Sequence, residues 1–354
     1  MVAKDGTISD AQDKQINPPQ PPSPPPTATT KSERRTLRER YKVQIRVATG
    51  FVLGGLAIAW IFAGPWPFLT GLTVASVLGQ NEYYKMAMAK GHAPAQKMGL
   101  ISTAITMVLS AIAPVYADVV FPLAGTIICC YLLFRRRKIA TIADISTTFM
   151  GLFYAGFLPS FWVRLHGYGF LQPTAGNPSG FVGGGGGGGI MTPLGHVISS
   201  KWPKFLPYRP VLSMGAMIVF WTWLANASAD IGAFFFGRYF GKTRFSDISP
   251  KKTVEGACAG FICAASISVL GAFLMRWPCW MATGLVYGIT VGVVGLLGDL
   301  FASTFKRDAG WKDSGKLFPG HGGILDRTDS YVLIAPLVYY FVTIVLPLVR
   351  QFNP

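Results

Sequence analysis

The feature that most constrains this chain is a series of about nine apolar segments, several of them close to the roughly 20 residues that an α-helix needs to cross a bilayer. Charged residues make up only 14% of the 354 residues, against about 25% in an ordinary soluble domain. We therefore predict an all-α fold, a polytopic integral membrane helical bundle with about nine transmembrane helices. The apolar segments cover approximately residues 47–64, 66–82, 98–117, 119–134, 145–163, 211–236, 256–275, 279–301 and 331–349.

The regions outside these segments divide the chain. Residues 1–45 begin with a polar, proline-rich stretch that has too few apolar side chains for a core, and they end in a basic segment suited to an anionic membrane surface. We predict a disordered tail and a basic juxtamembrane arm there, followed by a transmembrane domain over residues 46–350. A flexible glycine-rich insertion is predicted near residues 170–205, because the run Gly183–Gly189 lacks the Gly-Lys-Ser/Thr of a phosphate-binding loop.

The positions of the charged residues predict an orientation in the membrane. The net charge of +16 lies in clusters between apolar segments, which is typical of membrane orientation signals and does not indicate nucleic-acid binding. With the basic arm on the cytoplasmic or stromal side and nine alternating spans, the loops 237–255 and 302–330 both lie on that side. These two loops carry the most motif-like sequences of the chain.

The loop 302–330 and its flanks contain acids in an arrangement that predicts a metal site. Asp299 lies near the end of an apolar segment, where a carboxylate is costly unless it faces a cavity or a partner. Asp326 and Asp329 are three residues apart, so they share a face of the helix that follows. Mg²⁺ binds carboxylate and phosphate oxygens. Asp299, Asp326 and Asp329 are therefore the predicted ligands of a Mg²⁺ ion that also binds a substrate phosphate.

Basic residues in the same loop favour phosphate chemistry. Lys306 and Arg307 can neutralise phosphate charge. His321 lies among glycines, and we interpret it as a phosphate donor or a loop-ordering residue rather than a proton shuttle. The alternative is an ordinary juxtamembrane loop whose charges are solvated or paired and serve only to orient the protein.

The loop 237–255 adds a second group of basic residues. It follows Asp230, which lies inside an apolar segment, and it ends near Thr253 and Glu255, which can open the next helix and bind an anion there. An orientation signal without a ligand is again the alternative. The candidate substrate-binding residues of the two loops are Ser303, Asp230, Arg238, Lys242, Ser249, Lys251, Lys252, Thr253 and Glu255.

Several stretches resemble those of a known family. Ser303–Asp329, with its KR, KD, PGHGG and DRTD elements, resembles the signature of the phosphatidate cytidylyltransferases, also called CDP-diacylglycerol synthases. SPKKTVEG resembles the second stretch that this family shares. NEYYKM (Asn81–Met86) and STTFMGLFYAGFLPSFWVRL (Ser146–Leu165) are similar to its cyanobacterial and plastid branch. The resemblance covers roughly residues 45–349.

The resemblance implies an activity and a set of residue roles. The family transfers the cytidylyl group of CTP to the phosphate of phosphatidic acid, which releases pyrophosphate and gives CDP-diacylglycerol for phospholipid biosynthesis. By resemblance, the metal-binding carboxylates are Asp299 and Asp326, and Asp329 lies near a second cation such as K⁺. The other catalytic positions that the signature implies are Lys306, Arg307, Lys312, Asp313, His321 and Arg327.

The resemblance also implies partners and a location. It predicts a homodimer in a lipid bilayer, in a plastid or bacterial-type inner membrane, with the active site on the cytoplasmic or stromal side. Two positions depart from the family pattern: Ala302 stands where bacterial and plastid members usually carry Glu, and Val254 replaces the usual Trp. These departures concern fine tuning more than the activity itself.

Two other functions fit parts of the sequence. A CTP-dependent lipid kinase would use similar charged loops but would transfer the γ-phosphate of CTP. A polytopic anion transporter would use the loops as a gate, although such a protein is expected to carry an internal repeat and charges near the middle of the bilayer. The sequence contains no convincing repeat, and its charges gather at one membrane surface.

Overall fold

A computed structural model of the chain describes Gly50 and residues 52–134, 139–168, 212–315 and 322–352. The chain divides into two compact units, Met1–Gly55 and Leu56–Pro354. Only Gly50 and residues 52–55 of the first unit are described, and the account that follows concerns the second. The predicted tail over residues 1–45, the predicted insertion near residues 170–205 and His321 all lie outside the described residues.

The described residues form helices joined by short connections, with an isolated bridge between Arg244 and Thr253 and no strand within these ranges. The predicted all-α fold is therefore confirmed for this part of the chain. The helices are α1 Val52–Ile61, α2 Pro65–Ala89, α3 Gln96–Ile112, α4 Pro114–Leu133, α5 Ile142–Gly151, α6 Leu158–His166, α7 Met214–Phe240, α8 Val254–Leu274, α9 Trp280–Asp308, α10 Leu325–Tyr340 and α11 Leu346–Phe352. A π-helical turn, Leu152–Phe157, joins α5 to α6, and another, Phe341–Val345, joins α10 to α11.

Within the described ranges, each predicted apolar segment overlaps a helix or a continuous pair of helices. Five of these in the described chain are long and apolar enough to cross a membrane, namely α4, α7, α8, α9 and the continuous α10–α11. The prediction of a multi-pass membrane protein is thus supported, whereas the count of about nine transmembrane helices stays a prediction. The helices α1 and α3 are apolar but shorter.

The helix ends differ from the predicted segment ends where local chemistry decides them. Helix α3 ends at Ile112 and α4 begins at Pro114, because proline lacks the N–H that would continue α3 but suits the first position of a new helix. Helix α9 continues to Asp308, beyond the apolar segment that was predicted to end at residue 301. Ser303, Lys306 and Arg307 therefore lie on the last turns of α9 and not in a loop.

Small residues allow α7, α8 and α9 to approach closely. A Cβ atom on Gly260 of α8 would lie 2.8 Å from the carbonyl oxygen of Ala229 on α7. A Cβ atom on Gly288 of α9 would lie 2.5 Å from the Cα of Ala265 on α8. Such contacts are typical of tightly packed membrane helices. They fix which faces of these helices meet, and so they determine where the polar side chains at the helix ends come together.

Candidate active site

Acids from two helices meet where α9 and α10 pack together. The carboxyl groups of Asp299 on α9 and Asp329 on α10 lie close enough to interact electrostatically. The preceding residue, Gly298, makes this approach possible, since a Cβ there would lie 2.6 Å from the carbonyl oxygen of Asp329. The structure therefore brings together two of the three acids that the sequence singles out.

Two lysines accompany these acids. The Nζ atom of Lys252 lies 2.5 Å from Oδ2 of Asp299. The Nζ atom of Lys306 lies 2.8 Å from Oδ1 of Asp326 and 3.9 Å from Oδ2 of Asp329. Lys252 comes from the first predicted charged loop and Lys306 from the second, so both loops contribute to a single site. The side chains of Lys306, Asp326 and Asp329 are only about a tenth exposed, which strengthens their electrostatic interaction.

The connection between α7 and α8 places Lys252 by backbone hydrogen bonds. The N–H of Phe245 donates to the carbonyl of Lys252 at 2.9 Å, and the N–H of Val254 donates to the carbonyl of Thr243 at 3.0 Å. The hydroxyl of Thr253 accepts the N–H of Gly256 and so caps α8.

Glu255 completes this closed loop. Its carboxylate accepts the N–H groups of Lys242 and Thr243, which joins the first turn of α8 to the residues that follow α7. The structure thus gives Thr253 and Glu255 a role in shaping the loop. Binding of an anion by these two residues stays a prediction.

Asp326 organises the loop that precedes α10. Its Oδ2 atom accepts hydrogen bonds from the N–H of Ser314 at 2.8 Å and the N–H of Gly323 at 3.0 Å, and it lies 3.0 Å from the hydroxyl oxygen of Ser314. Its Oδ1 atom is the one that faces Lys306. Gly322 adopts a left-handed backbone conformation, with φ of 81°, which glycine adopts without steric cost. The carboxylate of Asp326 therefore joins the loop, the start of α10 and the end of α9.

Two further residues of the site, Glu82 and Tyr154, lie in stretches that carry the family resemblance but were given no individual role by the sequence. Glu82 of α2 is 8% exposed, and its carboxylate accepts hydrogen bonds from the loop and from the start of α10. Its signal was an acid inside a largely apolar helix, where an unpaired carboxylate is expensive. Tyr154 is fully buried in the π-helical turn between α5 and α6, and such turns frequently occur at functional sites.

Tyr154 connects the two helices that carry the acids. Its hydroxyl donates to the carbonyl oxygen of Asp329 at 3.3 Å. Its ring packs against Phe301 and Phe305 of α9, with ring centroids 5.4 and 5.5 Å away. Further along, on α6, Trp162 donates its indole N–H to the carbonyl of Tyr331 at 3.1 Å. These contacts position the first turns of α10 against α9.

The remaining predicted residues lie at or near this site. Ser303 donates its hydroxyl to Oδ1 of Asp299 at 3.4 Å, and Asp230 is near enough to Lys252 and Asp299 to interact with them electrostatically. Ser249 is half-buried on the loop that carries Lys252. The other candidate residues in the described ranges have exposed side chains, namely Arg238, Lys242, Lys251, Arg307, Lys312, Asp313 and Arg327.

The three predicted metal ligands do not form a preformed cage. Among the described residues, no group of three or more His, Cys, Asp or Glu side chains has the geometry of a metal site. The reason is visible in the contacts, since Asp326 turns one oxygen to the loop and the other to Lys306, while Asp299 and Asp329 face each other. Mg²⁺ in proteins is commonly bound by one or two carboxylates together with substrate phosphates. The facing carboxyl groups of Asp299 and Asp329 fit that kind of site.

Comparison with known proteins identifies similar chains. Residues 44–345 match the model of the cytidylyltransferase family. The chain is 44% identical over 306 residues to phosphatidate cytidylyltransferase of Synechocystis sp., which covers 86% of this chain and 98% of that protein. It is 32% identical over 315 residues to the chloroplastic phosphatidate cytidylyltransferase 5 of Arabidopsis thaliana, covering 86% of this chain and 73% of the relative. The chloroplastic phosphatidate cytidylyltransferase 4 of the same plant is 32% identical over 305 residues, 84% of this chain and 72% of the relative.

Proposed function

This chain belongs to the cytidylyltransferase family, and we propose that it transfers the cytidylyl group of CTP to phosphatidic acid, giving CDP-diacylglycerol and pyrophosphate. The chain is a nucleotidyltransferase by this membership. The observation that carries the proposal is that the connection between α7 and α8, the end of α9 and the start of α10 meet at one site, where Lys252 contacts Asp299 and Lys306 contacts Asp326 and Asp329. The site lies at the ends of apolar helices, where a soluble triphosphate and a lipid headgroup can both arrive.

The reaction in this proposal is an in-line displacement at the α-phosphorus of CTP. A phosphate oxygen of phosphatidic acid forms the new P–O bond, while the bond from the α-phosphorus to the bridging oxygen breaks and pyrophosphate leaves with the electron pair. No covalent intermediate with the protein is needed. Catalysis then consists of positioning the two phosphates and neutralising the charge that develops on the leaving group.

The basic residues divide into two groups in this mechanism. Lys306, Arg307 and Arg327 stabilise the departing pyrophosphate. Lys252, together with the exposed Lys251 and Arg238, holds CTP or the headgroup of phosphatidic acid. Without substrate, the ammonium groups of Lys252 and Lys306 neutralise the acids of the site. With substrate, they turn toward phosphate oxygens, which accept the same charge-assisted hydrogen bonds.

The acids of the site are the proposed cation ligands. Lys306 contacts both Asp326 and Asp329 in the free protein, and in this proposal a cation that displaces Lys306 is bound by these acids together with Asp299. When bound there, Mg²⁺ would supply positive charge to the triphosphate and polarise its P–O bonds. We include a second cation such as K⁺ near Asp329 in the proposal.

The remaining predicted residues of the loop are proposed to contact phosphate or to order the loop, namely His321, Lys312 and Asp313.

The proposal also covers the membrane side of the site and the oligomeric state of the protein. The site is placed on the cytoplasmic or stromal side of a bacterial-type or plastid membrane, because the basic clusters of the sequence share that side under the positive-inside rule. A homodimer is proposed as the working form.

One experiment separates the proposed reaction from its alternatives. The protein is purified in detergent and incubated with phosphatidic acid and CTP labelled at either the α- or the γ-phosphate, with and without Mg²⁺. We expect label from the α-position, and none from the γ-position, to enter the lipid when Mg²⁺ is present. Transfer of the γ-label alone would identify a lipid kinase. Absence of both from the lipid, in protein that is folded and supplied with Mg²⁺, would contradict the proposal and leave the transporter.

A further inference from the structure

The buried carboxylate of Glu82 lies far along the chain from the acids of the site, yet it contacts the segment that carries them. Its Oε1 atom accepts the N–H of Ile324 at 3.1 Å, and its Oε2 atom accepts the N–H of Leu325 at 3.0 Å. Oε2 also accepts the hydroxyl of Ser314 at 2.7 Å. A buried carboxylate needs such donors because its desolvation is otherwise costly. Both carboxylate oxygens of Glu82 therefore accept hydrogen bonds from the loop or from the start of α10.

These contacts replace a cap that the local sequence lacks. The first N–H groups of a helix have no partner within the helix, and an Asp, Asn, Ser or Thr at the N-cap position usually accepts one of them. The residue at the N-cap position of α10 is Ile324, whose side chain cannot accept a hydrogen bond. Glu82 supplies the missing acceptor from α2. The first turn of α10, which contains Asp326 and leads to Asp329, is therefore anchored to a different helix.

The same carboxylate explains two glycines of the loop. A Cβ atom on Gly315 would collide with Oε1 of Glu82, and one on Gly323 would collide with Oε2 of Glu82 and with the hydroxyl oxygen of Ser314. Both glycines leave room for the acid to reach the backbone. Gly323 also donates its N–H to Asp326, so the close approach of Glu82 and the placement of Asp326 depend on one small residue.

Glu82 and Asp326 share one donor. The hydroxyl of Ser314 lies 2.7 Å from Oε2 of Glu82 and 3.0 Å from Oδ2 of Asp326. A hydroxyl has a single hydrogen and donates to one acceptor at a time. Glu82 can therefore retain the hydroxyl of Ser314 when Asp326 turns from the loop toward another partner. The start of α10 then stays anchored while the carboxylate of Asp326 is released.

We propose that Glu82 is a positioning residue, which caps α10 from α2 and keeps the first turn of α10, with Asp326 and Asp329, in place beside the end of α9 while substrate binds. This inference rests on the proposed cytidylyl transfer for its effect on rate, but the anchoring itself is a property of the free protein. The two parts are measured separately, so that the failure of one is distinguishable from the failure of the other.

The test variant is Glu82→Gln, which keeps the shape of the side chain but replaces one acceptor oxygen with an NH₂ group that faces N–H or O–H donors. Hydrogen–deuterium exchange without substrate reports the anchoring, and we expect faster exchange at the amides of Ile324 and Leu325. Steady-state assays report the effect on catalysis, and we expect kcat to fall by about 10- to 100-fold, the usual effect of removing a side chain that orients a site. The KM for CTP should change much less.

Two further variants keep the test decisive. Asp308→Asn removes an exposed carboxylate at the end of α9, which pairs with Lys90 at 3.4 Å, and it should leave both exchange and kcat unchanged. Ser314→Ala is a milder change at the shared donor. Because Ser314 and Glu82 interact directly, the losses of Glu82→Gln and Ser314→Ala should not add in the double variant. If Glu82→Gln does not fold, faster exchange at Ile324 and Leu325 in Ser314→Ala decides in favour of the proposal.

The contrary results are equally specific. Unchanged exchange at Ile324 and Leu325 in folded Glu82→Gln would overturn the anchoring, whatever the protein's activity. Faster exchange with an unchanged kcat would overturn the positioning role. A parent protein that folds but transfers no cytidylyl group would instead contradict the proposed function, and the exchange result would still decide whether Glu82 anchors α10.

Discussion

The ammonium nitrogen of Lys252 lies 2.5 Å from a carboxylate oxygen of Asp299, although α8 and most of α9 separate the two residues along the chain. This pair joins the connection between α7 and α8 to the site formed by α9 and α10. It is partly exposed, with side-chain exposures of 25% and 31%, so a substrate phosphate can reach it. A lysine in such a pair can exchange its carboxylate partner for a phosphate oxygen at little cost, since both are charge-assisted contacts.

Replacing Lys252 tests this exchange. We expect Lys252→Met to raise the KM for CTP or for phosphatidic acid by about tenfold or more, because a lost charge-assisted hydrogen bond is worth about 1.5–3 kcal/mol. Steady-state kinetics with each substrate varied in turn provide the measurement. The matched control is Lys90→Met, since Lys90 is an exposed lysine paired with Asp308. Equal KM values for Lys252→Met and the parent would remove Lys252 from substrate binding.

Asp326 and Asp329 are expected to differ when each is changed to asparagine. Asp326 accepts hydrogen bonds from Ser314 and Gly323, so Asp326→Asn should disorder the loop and abolish turnover together. Asp329 accepts a hydrogen bond from the adjacent N–H of Ser330 and faces Asp299. Asp329→Asn should therefore abolish turnover while the loop keeps its order.

Hydrogen exchange at the amides of Ser314 and Gly323 measures loop order, and label transfer from CTP measures turnover. Both variants should remain inserted in the membrane and fold, because α9 and α10 are positioned by apolar contacts and by Tyr154 as well. Near-parental turnover in Asp326→Asn or in Asp329→Asn would remove that residue from the proposed cation site.

Gly298 determines how closely α9 and α10 approach. In Gly298→Ala the new Cβ would lie 2.6 Å from the carbonyl oxygen of Asp329, so the helices must separate. Overpacking of this kind costs about 1–3 kcal/mol, and we expect a lower melting temperature in detergent and a lower kcat. Gly79→Ala is the control, because its Cβ would make only ordinary contacts of 3.7 and 3.8 Å with Leu325 and Ile324. A melting temperature for Gly298→Ala equal to that of Gly79→Ala would contradict the packing described for this site.

Tyr154 offers a graded test of how α9 and α10 are joined. Tyr154→Phe removes the hydrogen bond to the carbonyl of Asp329 but keeps the ring against Phe301 and Phe305. The loss of stability should be about 1 kcal/mol. Tyr154→Ala also empties the space of the ring and should cost about 3–5 kcal/mol. Unfolding in detergent measures both values, and equal losses in the two variants would show that the ring packing contributes nothing.

Removal of divalent cations tests the proposed cation ligands as a group. We expect EDTA to abolish label transfer from α-labelled CTP and added Mg²⁺ to restore it, because the leaving pyrophosphate needs charge that the lysines alone do not supply. Adding K⁺ without Mg²⁺ should not restore transfer. Full activity in EDTA would contradict the assignment of Asp299, Asp326 and Asp329 to a divalent cation.

Local sequence patterns were sufficient to predict the helices of this protein and its two charged loops. The apolar segments predicted every described helix, because a run of apolar side chains near the length of a bilayer is stable only as a helix in that environment. The spacing of Asp326 and Asp329 placed them on one face of α10, and the clusters of charge marked the two loops that meet. These features depend on neighbours within a few residues, so the sequence alone contains them.

The tertiary structure decided which of these residues meet. The pairing of Lys252 with Asp299, the anchoring of α10 by Glu82 and the contact of Tyr154 with Asp329 each join residues from different helices. Such contacts depend on which helix faces pack together, and small residues such as Gly298 set that by permitting close approach of the backbones. A single sequence shows that a helix has a small-residue face but not which helix lies against it. The sequence therefore named the candidate residues, while the contacts among them and the residues that support them emerged only from the packing.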